Sequence, residues 1–312
     1  MSSAELVSRR VPWRAALLGV AASGLGQLYS GRPLRAIVVH LLALSGVFLC
    51  IRTIFIASRP WNIIVPVVGA LVIWLLALGD AAWCAKKAAP DYRLKPYNRW
   101  YVYLLLIALV ALEQEVTKSF LHARFAALKN VAGSMLPTLM PGDYVYVKRR
   151  AYVDSAPKRG DIVYFRYPPN PTVSFVKRVV AEGGDVVRIE HKRVYLNGQP
   201  VPEPYAQFEY ASDLPLRDDF PPSSRVLDSL PAAWGIDPAW RRDLPRFTRA
   251  DGLHVPPDCV FVLGDNRHNS LDSRFWGFVP RANVLGKAEV IYFSWNAEAH
   301  RARWERLGEV LK

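Results

Sequence analysis

The chain has 312 residues, enough for one or two domains with cores of their own, and 51% of them are hydrophobic, with ten tryptophans. Forty Lys and Arg against 27 Asp and Glu leave a formal charge of +13. The basic residues fall in short groups (Arg9-Arg10, Lys86-Lys87, Lys148-Arg149-Arg150, Lys192-Arg193) between apolar runs; that favours an anionic membrane surface over a nucleic-acid groove as partner. Cys50, Cys84 and Cys259 show no CxxC or Cys/His ligand spacing, which argues against a disulfide scaffold and against a zinc site.

Taken in order, residues 8–14 are basic and precede a short apolar stretch, Ala15 to Leu28, broken by Gly19, Gly24 and Gly26. It imitates a signal peptide, but further hydrophobic segments follow, and the reading preferred here is a short helix that dips into the membrane. The run Gly24-Leu25-Gly26-Gln27-Leu28-Tyr29-Ser30-Gly31 lacks the lysine of a phosphate loop, so its glycines point to tight turns or close helix packing. Ala36 to Ile51 and Ile63 to Gly79 are two spanning candidates. His40, inside the first, is read as a packed or interfacial residue. Trp100 to Leu112 is a third, shorter candidate, led by an aromatic belt and closed by Glu113. The loop 85–99 carries Lys86, Lys87, Arg93, Lys95 and Arg99 against Asp91, so the positive-inside rule puts it in the cytoplasm and everything after about Glu113 outside. The loop at 52–60 is then external. Three spans plus the dipping helix are preferred over four, giving a membrane-anchoring region over 1–125 and an extracytoplasmic domain over 126–312.

From Val131 the texture changes to short β-branched and aromatic runs separated by turn residues, which predicts a mainly antiparallel β domain. Val187 to Tyr195 reads as a hairpin around His191-Lys192. Residues 200–257 read as a loop-rich insertion with one helical turn near Pro238-Ala239-Trp240. Trp304, Leu307 and Leu311 fall on one helical face, predicting a short amphipathic helix at the C-terminus.

Amide hydrolysis needs a nucleophile, a base for its proton and donors for the developing oxyanion. Ser134, between Gly133 and a proline-braced turn, is the nucleophile candidate, although a lone serine in such a loop is ordinarily a turn residue. Lys177, in Ser174-Phe175-Val176-Lys177-Arg178-Val179-Val180, shares one strand face with Phe175 and Val179. Burial there would lower its pKa and free a neutral amine; the plainer alternative is a snorkelling lysine at a sheet edge. A third segment, Gly264-Asp265-Asn266-Arg267-His268-Asn269-Ser270-Leu271-Asp272-Ser273-Arg274, follows a strand and is dense in hydrogen-bonding side chains.

With Ser134-Met135-Leu136-Pro137-Thr138-Leu139 and Lys177-Arg178-Val179-Val180 in the same order, these residues closely resemble bacterial type I signal peptidases, membrane-bound Ser/Lys endopeptidases. The resemblance covers most of 131–293, and Arg303-Trp304-Glu305-Arg306 fits the family's ending. It implies a twisted antiparallel β fold whose apolar face lies on the bilayer. It makes Ser134 the nucleophile, Lys177 the general base and Ser270 the residue that orients the lysine. Asp272 and Arg274 become a bracing ion pair, with Asp265 supporting the same turn. Met135, Leu139, Phe175 and Val176 would line shallow pockets for the small side chains of an Ala-x-Ala site. The implied partners are signal-peptide-bearing precursors and the phospholipid bilayer, with no nucleic acid, metal or cofactor, for a monomer in the bacterial cytoplasmic (inner) membrane.

One departure bears on the chemistry. The family's oxyanion donors are the backbone N–H of the nucleophile and a serine hydroxyl two residues earlier, where this chain has Ala132. Asn130 offers an amide as a substitute, or is simply a loop residue. His268, where an acidic residue is common, invites a Ser/His reading that the intact lysine segment argues against. Ala132 and the extra N-terminal segments motivate one alternative, a specialised or weakened relative with a dedicated substrate; a second, a non-catalytic membrane scaffold that binds peptides, is argued against by the retained Lys177, Ser270 and Asp272.

Overall fold

The computed structural model describes residues 9–56, 61–231 and 234–312. Two units divide the chain, residues 1–122 and 123–312; the described residues of the first are mainly helical and those of the second mainly β-sheet.

In the first unit α1 (Pro12–Ala21) and α2 (Leu25–Tyr29) are separated by a turn at 22–24. Ten residues rise about 15 Å, half of a bilayer core of roughly 30 Å, so α1 is too short to span one. α3 (Pro33–Ile56) and α4 (Trp61–Lys86) are both long and apolar enough to cross, with Leu42, Leu49, Leu75 and Leu76 more than half exposed on their surfaces. A water-soluble helix would bury such residues; in lipid they are at home. The two helices pack through small residues, Gly46 meeting Ile73 and Gly69 meeting Cys50. Asp80 of α4 is neutralised by the Arg35 guanidinium and accepts from Gln27 Nε2 at 3.0 Å. Part of the loop expected outside the membrane, 57–60, lies outside the described residues.

The third expected span turns out differently. α5 (Trp100–Arg124) runs 25 residues, because Glu113, Gln114, Glu115 and Lys118 continue the helix past the apolar stretch. They also make its second half polar, so two of the described helices, not three, combine the length and apolarity of a span.

The second unit holds two antiparallel sheets. The larger is built from β1 (Phe125–Lys129), β2 (Asp143–Lys148), β3 (Ile162–Arg166), β4 (Ser174–Ala181) and further strands from the C-terminal half. The smaller contains β5 (Val186–Glu190), β6 (Arg193–Leu196) and β7 (Gln199–Pro200). The β5–β6 hairpin turns at His191 and Lys192, both at positive φ, as expected from the sequence.

The insertion is more ordered than its composition suggests. It forms α6 (Ser224–Ser229), capped by Ser223, and α7 (Pro238–Phe247), capped by Asp237 and started by a proline. The strands β8 (Thr248–Arg249) and β9 (Gly252–His254) follow and join the smaller sheet. Its apolar residues Leu216, Phe220, Trp240 and Leu244 are buried with Phe165, Val179 and Phe261 in one core. Prolines and charges hid this, because single anchoring residues in a non-repeating segment leave no periodicity to read.

Next come β10 (Cys259–Leu263), the short α8 (Ser273–Trp276), β11 (Val279–Pro280) and the long β12 (Val284–Asn296). The larger sheet runs β1-β2-β12-β3-β4-β10-β11. The chain ends with β13 (Arg301–Ala302) and β14 (Glu309–Val310), both paired to β12. The amphipathic helix expected at the C-terminus is therefore not formed. Leu311 is buried with Val145 and Ile291, and pairing to an existing strand satisfies the tail's backbone without a helix.

Candidate active site

Ser134 lies in the turn between β1 and β2, and Lys177 in the middle of β4. Register brings the third segment to them, since Leu263 of β10 pairs with Arg178, the neighbour of Lys177. Asn266 then ties the serine turn down, its N–H donating to the Ser134 carbonyl at 3.1 Å and its side chain to the Gly133 carbonyl at 3.2 Å.

The centre of the site is one contact: Lys177 Nζ lies 2.5 Å from Ser134 Oγ. The lysine is 4% exposed. Burial moves its pKa from 10.5 down to about 8, with Asp272 and Asp265 pulling it up and Arg274 pulling it down. A neutral amine at this distance can take the hydroxyl proton and make the oxygen a nucleophile.

Asp272 and Arg274 form a doubly hydrogen-bonded ion pair, both contacts 2.8 Å and both side chains fully buried. Burial would raise the Asp272 carboxyl, but Arg274 outweighs it and holds the pKa below the ordinary carboxylate value. Asp272 also accepts the Gly264 N–H at 3.1 Å, which fixes the turn. Asp265 pairs with Arg178 at 2.7 and 2.8 Å and accepts from Thr138 at 2.5 Å. It thereby joins the strand of Lys177 to the turn of Ser134. Neither Arg178 nor Thr138 was singled out from sequence, although both lie within the segments that carry the resemblance. Asp143 and Arg306 went unnoticed as a pair too; Arg306 donates to Asp143 at 2.7 Å and to the Thr138 carbonyl at 2.8 Å.

Three expectations need amendment. Ser270 is 2% exposed, but its hydroxyl has no hydrogen-bond partner among the described residues, so the expected bond to Lys177 is not made. Instead Ser270 Oγ crowds the α-carbon of Gly264, where an added Cβ would lie 2.3 Å from it and 2.4 Å from the Ser134 carbonyl oxygen. Met135 is 1% exposed and packs beneath the site with Leu139 and Val145 rather than lining a pocket. Asn130 has no free donor, because its amide nitrogen serves the carbonyls of Ala132 at 3.0 Å and Met140 at 2.9 Å. With no hydroxyl at Ala132, the Ser134 N–H is left; it makes no hydrogen bond among the described residues.

His268 is removed from the chemistry. Its Nδ1 accepts the N–H groups of Glu209 and Tyr210 at 3.1 and 3.0 Å, and its Nε2 meets Asp218 at 2.9 Å, with both side chains fully buried. It locks the insertion to the 264–274 turn.

A cavity of about 530 Å³ opens beside Ser134 and Lys177, lined by Ala132, Leu139, Phe175, Val176 and Leu271 among others. β10 pairs with β4 only from Arg178 onward, so the backbone of residues 174–176 keeps an open edge next to this cavity. Such an edge can take an extended peptide as an added strand.

The sequence profile of the family described as "Signal peptidase, peptidase S26" matches residues 98–295, more than half of the chain. The chain belongs to that family. It is a serine endopeptidase, a hydrolase. Signal peptidase I of Pseudomonas fluorescens is 30% identical over 299 residues, covering 87% of this chain and 96% of that protein. Signal peptidase I of Aquifex aeolicus is 33% identical over 218 residues, 62% of this chain and 82% of its own. A crystal structure of an Enterococcus faecalis signal peptidase I is 28% identical, covers 42% of this chain and 95% of that one, and has a TM-score of 0.26.

Proposed function

We propose that this signal peptidase cleaves exported precursors through a Ser134/Lys177 dyad, with the 2.5 Å contact between the serine hydroxyl and the buried lysine amine as the observation that carries the reading. Ser134 Oγ attacks the scissile carbonyl while neutral Lys177 takes its proton, and the resulting ammonium returns it to the leaving amine. Asp272, Arg274 and Asp265 hold the base and the nucleophile in register. The Ser134 N–H supports the oxyanion. The precursor lies extended along residues 174–176, its small side chains in shallow apolar depressions near Leu139, Phe175 and Val176, which is the basis of an Ala-x-Ala preference.

The enzyme is held in the inner membrane by its N-terminal helices. The basic loop 85–99 is cytoplasmic and the β unit extracytoplasmic, following the positive-inside rule. It works as a monomer and meets the bilayer and its precursors, not nucleic acid.

The test is cleavage of an Ala-x-Ala precursor across pH 6–10. The rate rises with pH to a plateau above a midpoint near the lysine's value of about 8, since only the neutral amine accepts a proton. Ser134→Ala and Lys177→Ala abolish cleavage. Normal processing by either variant would sink the dyad.

A further inference from the structure

The dyad leaves a second serine with a base unused. Ser23 stands in the turn between α1 and α2, next to Gly24, whose φ is +93°. A Cβ on Gly24 would lie 2.6 Å from the Ala36 carbonyl, so the turn can seat on α3 only with glycine there. One helical turn beyond Ala36 is His40, which this seating brings to Ser23. Ser23 Oγ lies 2.7 Å from His40 Nδ1, and His40 Nε2 lies 2.8 Å from Glu113 Oε2 on α5. The carboxylate accepts the Nε2 proton, so the Nδ1 lone pair faces the Ser23 hydroxyl. That is the order nucleophile, base, orienting acid.

The three residues line a cavity of about 530 Å³ whose walls include Val20, Leu44, Ile73 and Trp74, and whose far end carries Lys118 and His122. His40 lies in the apolar run of α3, where an ionisable group is costly and marks function by default. The N–H groups of Ser23 and Gly24 make no hydrogen bond among the described residues, so both are available to an oxyanion. An α-helix about 10 Å across fills roughly 420 Å³ per turn. The cavity would hold little more than one turn of a membrane helix, and its apolar walls suit an aliphatic chain.

We propose that Ser23, His40 and Glu113 form a second hydrolytic site, within the helical unit, for carboxylic esters with an aliphatic acyl chain. Ser23 Oγ bonds to the ester carbonyl carbon as its proton passes to His40 Nδ1. The carbon–oxygen bond to the alcohol breaks, and the alcohol leaves with that proton. Water, entering past Lys118 and His122, then attacks the acyl-serine and gives its proton to Nδ1. The carboxylic acid departs and Ser23 recovers its hydrogen.

The experiment uses full-length Ser134→Ala protein in detergent micelles, so that the signal peptidase serine is silent. Its probes are p-nitrophenyl esters of two to twelve acyl carbons and a fluorophosphonate, with labelled peptides identified by mass spectrometry. We expect turnover that rises with acyl length and a label on Ser23. Both should be absent when Ser23→Ala is added and reduced at least 100-fold by His40→Asn, which keeps a polar group of similar shape. Ser23→Ala with Ser134 intact should cleave precursors at the wild-type rate. A folded Ser134→Ala protein, checked by its thermal melt, that neither turns over an ester nor labels at Ser23 overturns the proposal. So does labelling at Ser23 that His40→Asn leaves unchanged. Either result leaves the Ser134/Lys177 reading untouched.

Discussion

Gly264→Ala is the sharpest probe of how the serine and lysine are held. Gly264 has no unusual φ, so the substitution meets a problem of space alone. The new Cβ would lie 2.3 Å from Ser270 Oγ and 2.4 Å from the Ser134 carbonyl oxygen, where ordinary contact begins at 3.4 Å. About 1 Å must be found on each side. The Ser134 carbonyl cannot yield freely, because the Asn266 N–H holds it at 3.1 Å, and Ser270 is walled in. A displacement of about 1 Å at the reacting groups costs on the order of 100-fold in rate, and overpacking a buried site costs about 1–3 kcal/mol in stability. Steady-state cleavage of a fluorogenic Ala-x-Ala peptide, beside a thermal melt, separates the two. We expect kcat to fall about 100-fold with KM nearly unchanged, since Gly264 does not line the peptide cavity. Adding Ser270→Gly should recover stability more than rate, because the clash with the Ser134 carbonyl remains. A variant with full kcat and only a lowered Tm would refute the idea that Gly264 sets the position of the nucleophile.

Other outcomes follow from the same geometry. Lys177→Met should abolish cleavage yet stabilise the β unit near neutral pH, since holding an amine at about 8 rather than 10.5 corresponds to roughly 3 kcal/mol. Between those values the unfolded chain binds the proton and the folded one does not, so wild-type stability rises from about pH 8 to 10.5; urea titrations should show that rise in the wild type and none from this group in the variant. Asp272→Asn strands the buried Arg274 and should cost about 3–5 kcal/mol. Because the Asp272 carboxylate raises the Lys177 pKa, the surviving activity should titrate below the wild-type midpoint, and an unshifted profile would separate Asp272 from the base. Ala132→Ser places a hydroxyl on a backbone already braced by Asn130. If it reaches the oxyanion, kcat should rise by about 10-fold or more, whereas an unchanged rate would mean that the hole is complete without it.

Local chemistry was legible from residue order. Glycine and proline around Ser134, the alternation through Phe175, Lys177 and Val179, and the polar run from Gly264 to Arg274 singled out the candidate reacting groups, and the family resemblance those segments carry implied the supporting ion pair. The apolar runs of α3 and α4 and the His191-Lys192 hairpin were equally readable, because turn chemistry and periodicity act over a few neighbouring residues. Tertiary structure decided what depends on distant partners. Pairing of Leu263 with Arg178 brings Asp265 to the lysine strand, Ser270 Oγ packs over Gly264 without a hydrogen bond among the described residues, and Asn130 spends its amide on Ala132 and Met140. The insertion became core and the tail became strand because each found an existing surface to pair with or cover. No local pattern encodes such a surface, whereas the residue types around Ser134 mark the turn itself and leave its fixing to Asn266 and Gly264.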